Sequence, residues 1–218
     1  MQRFWKENSL SIVLFSLFLI ILGGQIATGH REYNDQQREH GQPEAGLGAY
    51  LGSGHFIEAT FENWESEFLQ MGAYVLFTIW LRQKGAVDSK PLEGEAEVDK
   101  EPEAHEHAPW PVKRGGWILA LYKNSLSIAL FALFFISLGL HAYGGRREYN
   151  AAQLQHGGEA LSLMQFVGSS RFWFESLQNW QSEFLSIGAL GVLSIWLRQK
   201  GSSESKPVDA PYDEVGEK

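Results

Sequence analysis

Residues 63–85 read NWESEFLQMGAYVLFTIWLRQKG, and residues 179–201 read NWQSEFLSIGALGVLSIWLRQKG. Each copy opens polar with an acid, runs apolar between two tryptophans and closes on Arg-x-Lys. A membrane-spanning helix meets the two headgroup layers in that order. The apolar cores alone, Phe68–Leu81 and Phe184–Leu197, are about 14 residues long and ambiguous by length. The tryptophans decide the reading. Trp64 to Trp80, like Trp180 to Trp196, is a 16-residue step. As helix it separates the indoles by about 24 Å, close to the distance between aromatic belts.

Two further blocks read the same way. Leu10–Ala27 (LSIVLFSLFLIILGGQIA) and Leu126–Tyr143 (LSIALFALFFISLGLHAY) contain no Asp, Glu, Lys or Arg. Each is about 18 residues, near the lower limit for a spanning helix. The first could pass for a signal peptide, with Arg3 and Lys6 ahead of an apolar core. Its twin lies mid-chain, so both are read as retained spans. The mean hydropathy of -0.21 would suit a soluble protein, but it averages four apolar blocks with the charged gaps between them.

Pairing residue i with i+116 matches Asn8–Pro91 to the second half without a gap, at roughly half identity. A period this long is a tandem duplication rather than a solenoid repeat. Chance similarity of apolar segments does not account for it, because polar runs match too: HREYN at 30–34 with RREYN at 146–150, and LRQKG and SKP in both copies. Of 18 Lys and Arg, 13 lie in the amino end, middle segment and tail, and five in the two loops inside the halves. The positive-inside rule then puts both termini and the middle segment in the cytoplasm. The two halves become parallel hairpins related by a pseudo-two-fold along the membrane normal.

The expected fold is an all-α membrane protein of four transmembrane helices, arranged as two tandem-duplicated parallel helical hairpins. The first hairpin covers 1–85 and the second 116–201. They are joined by an acidic, disordered cytoplasmic linker over 86–115 and followed by an acidic disordered tail over 202–218. Between Asp88 and Glu106 the linker holds eight acids against two lysines. The net charge of -8 argues against nucleic acid as a partner. No cysteine is present, which excludes disulfides and thiolate metal sites.

The outer loops carry helical signals. Arg31–His40 and Arg147–His156 lack Gly and Pro and are followed by Gly41 and Gly157 as C-caps. The first helix of each half is expected to run on past the lipid to about residue 40 or 156. Ser53 is placed to cap a helix starting at Gly54. A short interfacial helix carrying Phe56, Ile57 and Phe61, flat on the bilayer, is the alternative.

Among candidate functional residues, Glu67 and Glu183 stand first, just inside the outer tryptophans. An acid at that depth snorkels, pairs or lines a wet cavity. Asn63 and Asn179 share a helical face with them. Counting from the lipid entry points places Glu67 near Gln25 and Glu183 near His141, with Arg31 and Arg147 above. Such groups are either satisfied structural pairs or a proton route. Ser9, Ser16 and Gly23 form a small-residue stripe suited to close helix approach. Tyr33, Gln37 and His40, and likewise Tyr149, Gln153 and His156, share a face and frame a helix contact or an outward-facing site. His105-Glu-His107 has metal-like residue types in a flexible acidic tether, where solvation is the simpler reading. Haem would need paired intramembrane histidines, and only His141 qualifies. With no nucleophile elbow, P-loop or dinucleotide fingerprint, no cofactor and no enzyme activity are expected.

The pattern resembles a family of small bacterial membrane proteins defined only as a domain of unknown function. ENSLSIVLF at 7–15, HREYN at 30–34, SGHF at 53–56 and the NWESEFLQMGAY…WLRQKG…SKP block carry the resemblance, once per half. In the second copy His30, His55, Glu65 and Gln70 become Arg146, Arg171, Gln181 and Ser186. Any role needing those side chains belongs to the first half alone. The resemblance implies a bacterial inner-membrane protein and adds no activity. The expected partners are the bilayer and either another membrane protein or a second copy. The leading reading is a non-enzymatic scaffold or interaction protein of the envelope. A small permease or ion pathway using Glu67 and Glu183 is the alternative, and a redox-chain accessory subunit is a third.

Overall fold

The computed structural model describes residues 2–215. Every α-helix and 3-10 turn among them belongs to an all-helical architecture, with no strand among the described residues. Helix α1 (Gln2–Glu39) contains no proline and stops where Gly41 adopts a φ of +66°. Short helix α2 (Leu47–Leu51) follows. Helix α3 (Gly54–Trp80) starts as expected at Ser53, whose Oγ accepts the Phe56 N–H at 3.2 Å. The middle segment holds a 3-10 turn at Glu97–Asp99, then α4 (Trp110–Arg114) and α5 (Gly116–Lys123). Helix α6 (Ser125–Gln155) begins after a break at Asn124 and ends before Gly157, at φ +73°. Helix α7 (Leu163–Val167) opens on a reciprocal capping box between Ser162 and Gln165, and α8 (Ser170–Trp196) completes the set.

Two of these helices are long and apolar enough to cross a membrane by length and composition: Arg3–Glu39, with a window hydropathy of 2.4, and Ser125–Gln155, with 2.0. Leu17, Phe18, Leu19, Ile20 and Ile21 of α1 are consecutive and all exposed. Five residues at about 100° each go all the way round the helix, so this stretch of α1 is apolar and exposed on every side.

The helix bounds recur at an offset of 116. Glu39 and Gln155 end α1 and α6, α2 matches α7, and α3 matches α8.

By compactness the chain divides into two units, each taking parts of both sequence halves: the chain up to 61 with 140–169, and 62–139 with the chain from 170 onward. In the first unit α2 folds back along α1 rather than continuing beyond it. Tyr50, 1% exposed, lies on Gly29, where any Cβ would meet its hydroxyl. Asn34 fixes the loop, accepting the Ala45 N–H at 2.7 Å and donating to the Ala45 carbonyl at 3.1 Å. The second loop repeats the device. Asn150 Oδ1 accepts the Leu161 N–H at 2.8 Å, its Nδ2 donates to the Leu161 carbonyl at 2.9 Å, and Phe166, 0% exposed, lies on Gly145. Helices α3 and α6 touch backbone to backbone in this unit. A Cβ on Gly144 would stand 2.6 Å from the Glu58 nitrogen, and one on Gly54 2.5 Å from that of Glu148.

In the second unit Phe131 covers Gly72, at 3.2 Å from where a Cβ would sit, and Phe134 meets Trp180 edge to face at 6.1 Å. The start of the linker meets the tail, where a Cβ on Gly85 would stand 2.2 Å from the Tyr212 carbonyl oxygen. Lys90 pairs with Asp99, and Arg198 donates to the Ala210 carbonyl at 3.1 Å. Lys206, 3% exposed, donates to the carbonyls of Pro211, Tyr212 and Glu214 at 3.1, 3.1 and 2.9 Å.

Candidate functional site

Helix α3 carries its buried polar groups at a helical spacing. Glu58, Glu65 and Gly72 are seven apart, and Glu62 lies between the first two on the same face. Glu58 is 8% exposed and Glu65 0%. Carboxylates so enclosed persist only where donors meet them.

In the second unit those donors come from α8. Asn179 Nδ2 donates to Glu62 Oε1 at 2.6 Å, and the Trp180 indole N–H donates to Glu65 Oε1 at 3.2 Å. Trp180 also meets Phe134 of α6 and Trp173 of α8, edge to face at 6.1 and 6.2 Å. The layer thus joins three helices through one indole and two acids. Ser66 and Ser182 return their hydroxyls to the carbonyls of Asn63 and Asn179, both at 2.8 Å.

Of the residues singled out from sequence, Asn63, Glu67, Asn179 and Glu183 lie in this unit. Asn179 belongs to the layer. Asn63 is exposed. Glu67 is exposed and Glu183 half-buried. Sequence reasoning chose Glu67 and missed Glu62 and Glu65. The available signal was the 58–62–65–72 spacing, which ends on a glycine able to take a neighbouring ring.

The other four, Gln25, Arg31, His141 and Arg147, lie in the first unit. Gln25 Nε2 donates to Thr60 Oγ1 at 3.3 Å. Thr60 is seven residues before Glu67, so the register of α1 against α3 differs by two turns from the one reckoned at the lipid entry points. The reason is the fold-back of α2. With Tyr50 on Gly29, α3 starts about ten residues below the tip of α1, roughly 15 Å. His141 is fully buried on α6. Arg147 donates to the Gly52 carbonyl at 2.6 Å and lies over the Tyr143 ring at 5.5 Å, while Arg31 is exposed.

Around Tyr50 the first unit gathers His30, Tyr33, His55 and Phe56, with ring centroids 5.4 to 6.0 Å from its own. His30 Nε2 contacts the Ala45 carbonyl at 2.7 Å and Asn34 Nδ2 at 3.1 Å. Burial, and after it the Glu32 carboxylate, raise the Tyr50 phenol above its ordinary range.

An apolar crevice of about 390 Å³ lies between the C-terminal halves of α3 and α8. Tyr74, Phe77, Asp88, Phe184, Gly188 and Gly191 are among the residues that line it. It reaches Phe184, the residue after Glu183. Among the described residues no three His, Cys, Asp or Glu side chains converge as a metal set.

The sequence matches the family described as "Domain of unknown function (DUF6766)" over residues 1–217, and the chain belongs to that family. No curated protein and no solved structure matches it.

Proposed function

We propose that this member of the DUF6766 family is a multi-pass scaffold of the bacterial inner membrane, without enzymatic activity, which holds a partner membrane protein or a second copy of itself. The reading takes all four long helices as spans, α3 and α8 included. It takes the two halves, 1–85 and 116–201, as copies of one ancestral hairpin crossing in the same direction, with both termini in the cytoplasm. The 116-residue recurrence of the helix bounds, of the asparagine clamps and of the Ser89 and Ser205 turns supports duplication. Ser89 Oγ accepts the Gln83 N–H at 2.9 Å, and Ser205 Oγ accepts that of Gln199 at 2.8 Å.

The observation that carries the scaffold reading is the layer joining α3 to α8. Its acids are engaged in holding helices together, with Glu62 bound to Asn179 and Glu65 to Trp180. Polar side chains act as interhelical glue in lipid, where the alternative is an unsatisfied group in hydrocarbon. The exposed apolar stretch of α1 around 17–21, with the Ser9, Ser16 and Gly23 stripe, supports an interaction role. Crosslinking and pulldown from native membranes test it. The expected result is a defined complex, in pairs or with a partner, that survives Glu67→Gln and Glu183→Gln. A parent protein that crosslinks to nothing and purifies only as a monomer contradicts it.

The crevice favours one second reading, a small permease or ion pathway. The crevice reaches Phe184, the residue next to Glu183, with Glu183 and Glu67 as the polar groups of the route. Proteoliposomes decide this one: a proton or ion flux in the parent, abolished in a folded Glu67→Gln, Glu183→Gln double variant, replaces the scaffold reading.

A further inference from the structure

His40 and His156 occupy corresponding positions, 116 apart, as the first residues beyond α1 and α6. The first unit brings the two imidazoles together, with ring centroids 6.3 Å apart and planes at 81°. Both side chains are exposed. Each ring spends the same nitrogen on its own helix: His40 Nδ1 contacts the Gln36 carbonyl at 2.7 Å, and His156 Nδ1 the Ala152 carbonyl at 2.8 Å. A carbonyl accepts only, so both Nδ1 atoms carry hydrogen, and in the neutral rings both Nε2 atoms carry lone pairs.

We propose that His40 and His156 bind one divalent transition-metal ion of the zinc class through their Nε2 atoms, clamping the tip of α1 to the tip of α6. Three features converge on this. Histidines that ligate metals characteristically donate their other N–H to a carbonyl, which fixes tautomer and ring orientation, and both rings here are so held. The geometry fits as well. With a metal–nitrogen bond of about 2.0 Å the ion sits about 3.2 Å from each ring centroid, so two rings sharing it are about 5.2 Å apart at a tetrahedral angle and about 6.4 Å when opposed. The observed 6.3 Å falls within that span, and a closure of about 1 Å brings it to the tetrahedral value. Finally, two helix C-termini end at this point, each presenting carbonyls and about half a negative charge, which favours a cation over a second imidazolium. The imidazole pair suits zinc, nickel or copper ions, and water completes the coordination.

The test uses the full chain, free of any polyhistidine tag, in detergent or nanodiscs at neutral pH, with zinc ion alone as the probe and calorimetry as the readout. One saturable site per chain is expected, weakened at least about tenfold by His40→Ala and equally by His156→Ala. A His105→Ala, His107→Ala variant controls for the linker pair and keeps the parent affinity. Zinc is also expected to slow amide exchange at the ends of α1 and α6 in the parent and not in His40→Gln, a variant that retains the fold because the side chain is exposed. The proposal is overturned by any of three outcomes: no saturation below about 1 mM, loss in only one of the two histidine variants, or loss that follows His105 and His107 instead.

Discussion

The two loops that follow α1 and α6 in the first unit are built on one plan with different chemistry. Both use an asparagine to bind the backbone of one residue eleven positions on, and both press a buried aromatic onto a glycine. In the first loop the aromatic is Tyr50, ringed by His30 and His55; in the second it is Phe166, and the corresponding residues are Arg146 and Arg171. The shared parts are therefore what the turn needs in order to fold. The phenol and the imidazoles of His30 and His55 are additions, and any role that needs those side chains belongs to the first loop.

The largest expected effect tests where the plan stops being symmetric. Gly144 and Gly54, at the backbone contact of α6 with α3, correspond to Thr28 and Ser170. Gly144→Ala forces a Cβ to 2.6 Å from a backbone nitrogen, and thermal unfolding in detergent is expected to show a loss of about 3 kcal/mol, against under 1 for Thr28→Ala. Equal losses would erase the distinction.

Next come the clamps. Asn34→Ala and Asn150→Ala each free a backbone N–H and carbonyl, and each is expected to cost about 2 kcal/mol. A cost confined to one loop would mean that the two turns do not share their plan.

Exchanging the aromatics sharpens the contrast. Phe166→Tyr buries a hydroxyl against Gly145 and costs about 1–3 kcal/mol, whereas Tyr50→Phe stays within about 1 kcal/mol at neutral pH. The phenol of Tyr50 titrates above its ordinary value, so the folded state keeps the proton to higher pH than the unfolded chain does. Its contribution is whole below about pH 10 and is lost as pH rises through the folded value. Stability of Tyr50→Phe measured from neutral to alkaline pH should lack that part of the alkaline decline. An unchanged decline would assign it elsewhere.

Much of the helical layout was legible in sequence because its signals are local. The Ser53 cap, the stops at Gly41 and Gly157, the apolar blocks of α1 and α6 and the 116-residue recurrence are all read from neighbours along the chain. Register was not legible. It depends on Tyr50 seating on Gly29, a contact across 21 residues carried by a helix, α2, too short to show periodicity. The same gap misdirected the choice of acid. Depth below Trp64 marked Glu67, but whether an acid is enclosed depends on which face meets α8, and that face carries Glu62 and Glu65. The break at Asn124 was likewise hidden, since Asn8 at the matching position lies inside a continuous α1.

The absence of cysteine makes the central claim open to direct measurement, because single cysteines can be placed without background. In intact spheroplasts, Gln42→Cys and Gly158→Cys should react with a membrane-impermeant maleimide, while Ser89→Cys and Ser203→Cys should react only after permeabilisation. Labelling of Ser89→Cys from outside, or of only one of the two outer loops, would contradict a pair of hairpins crossing in the same direction.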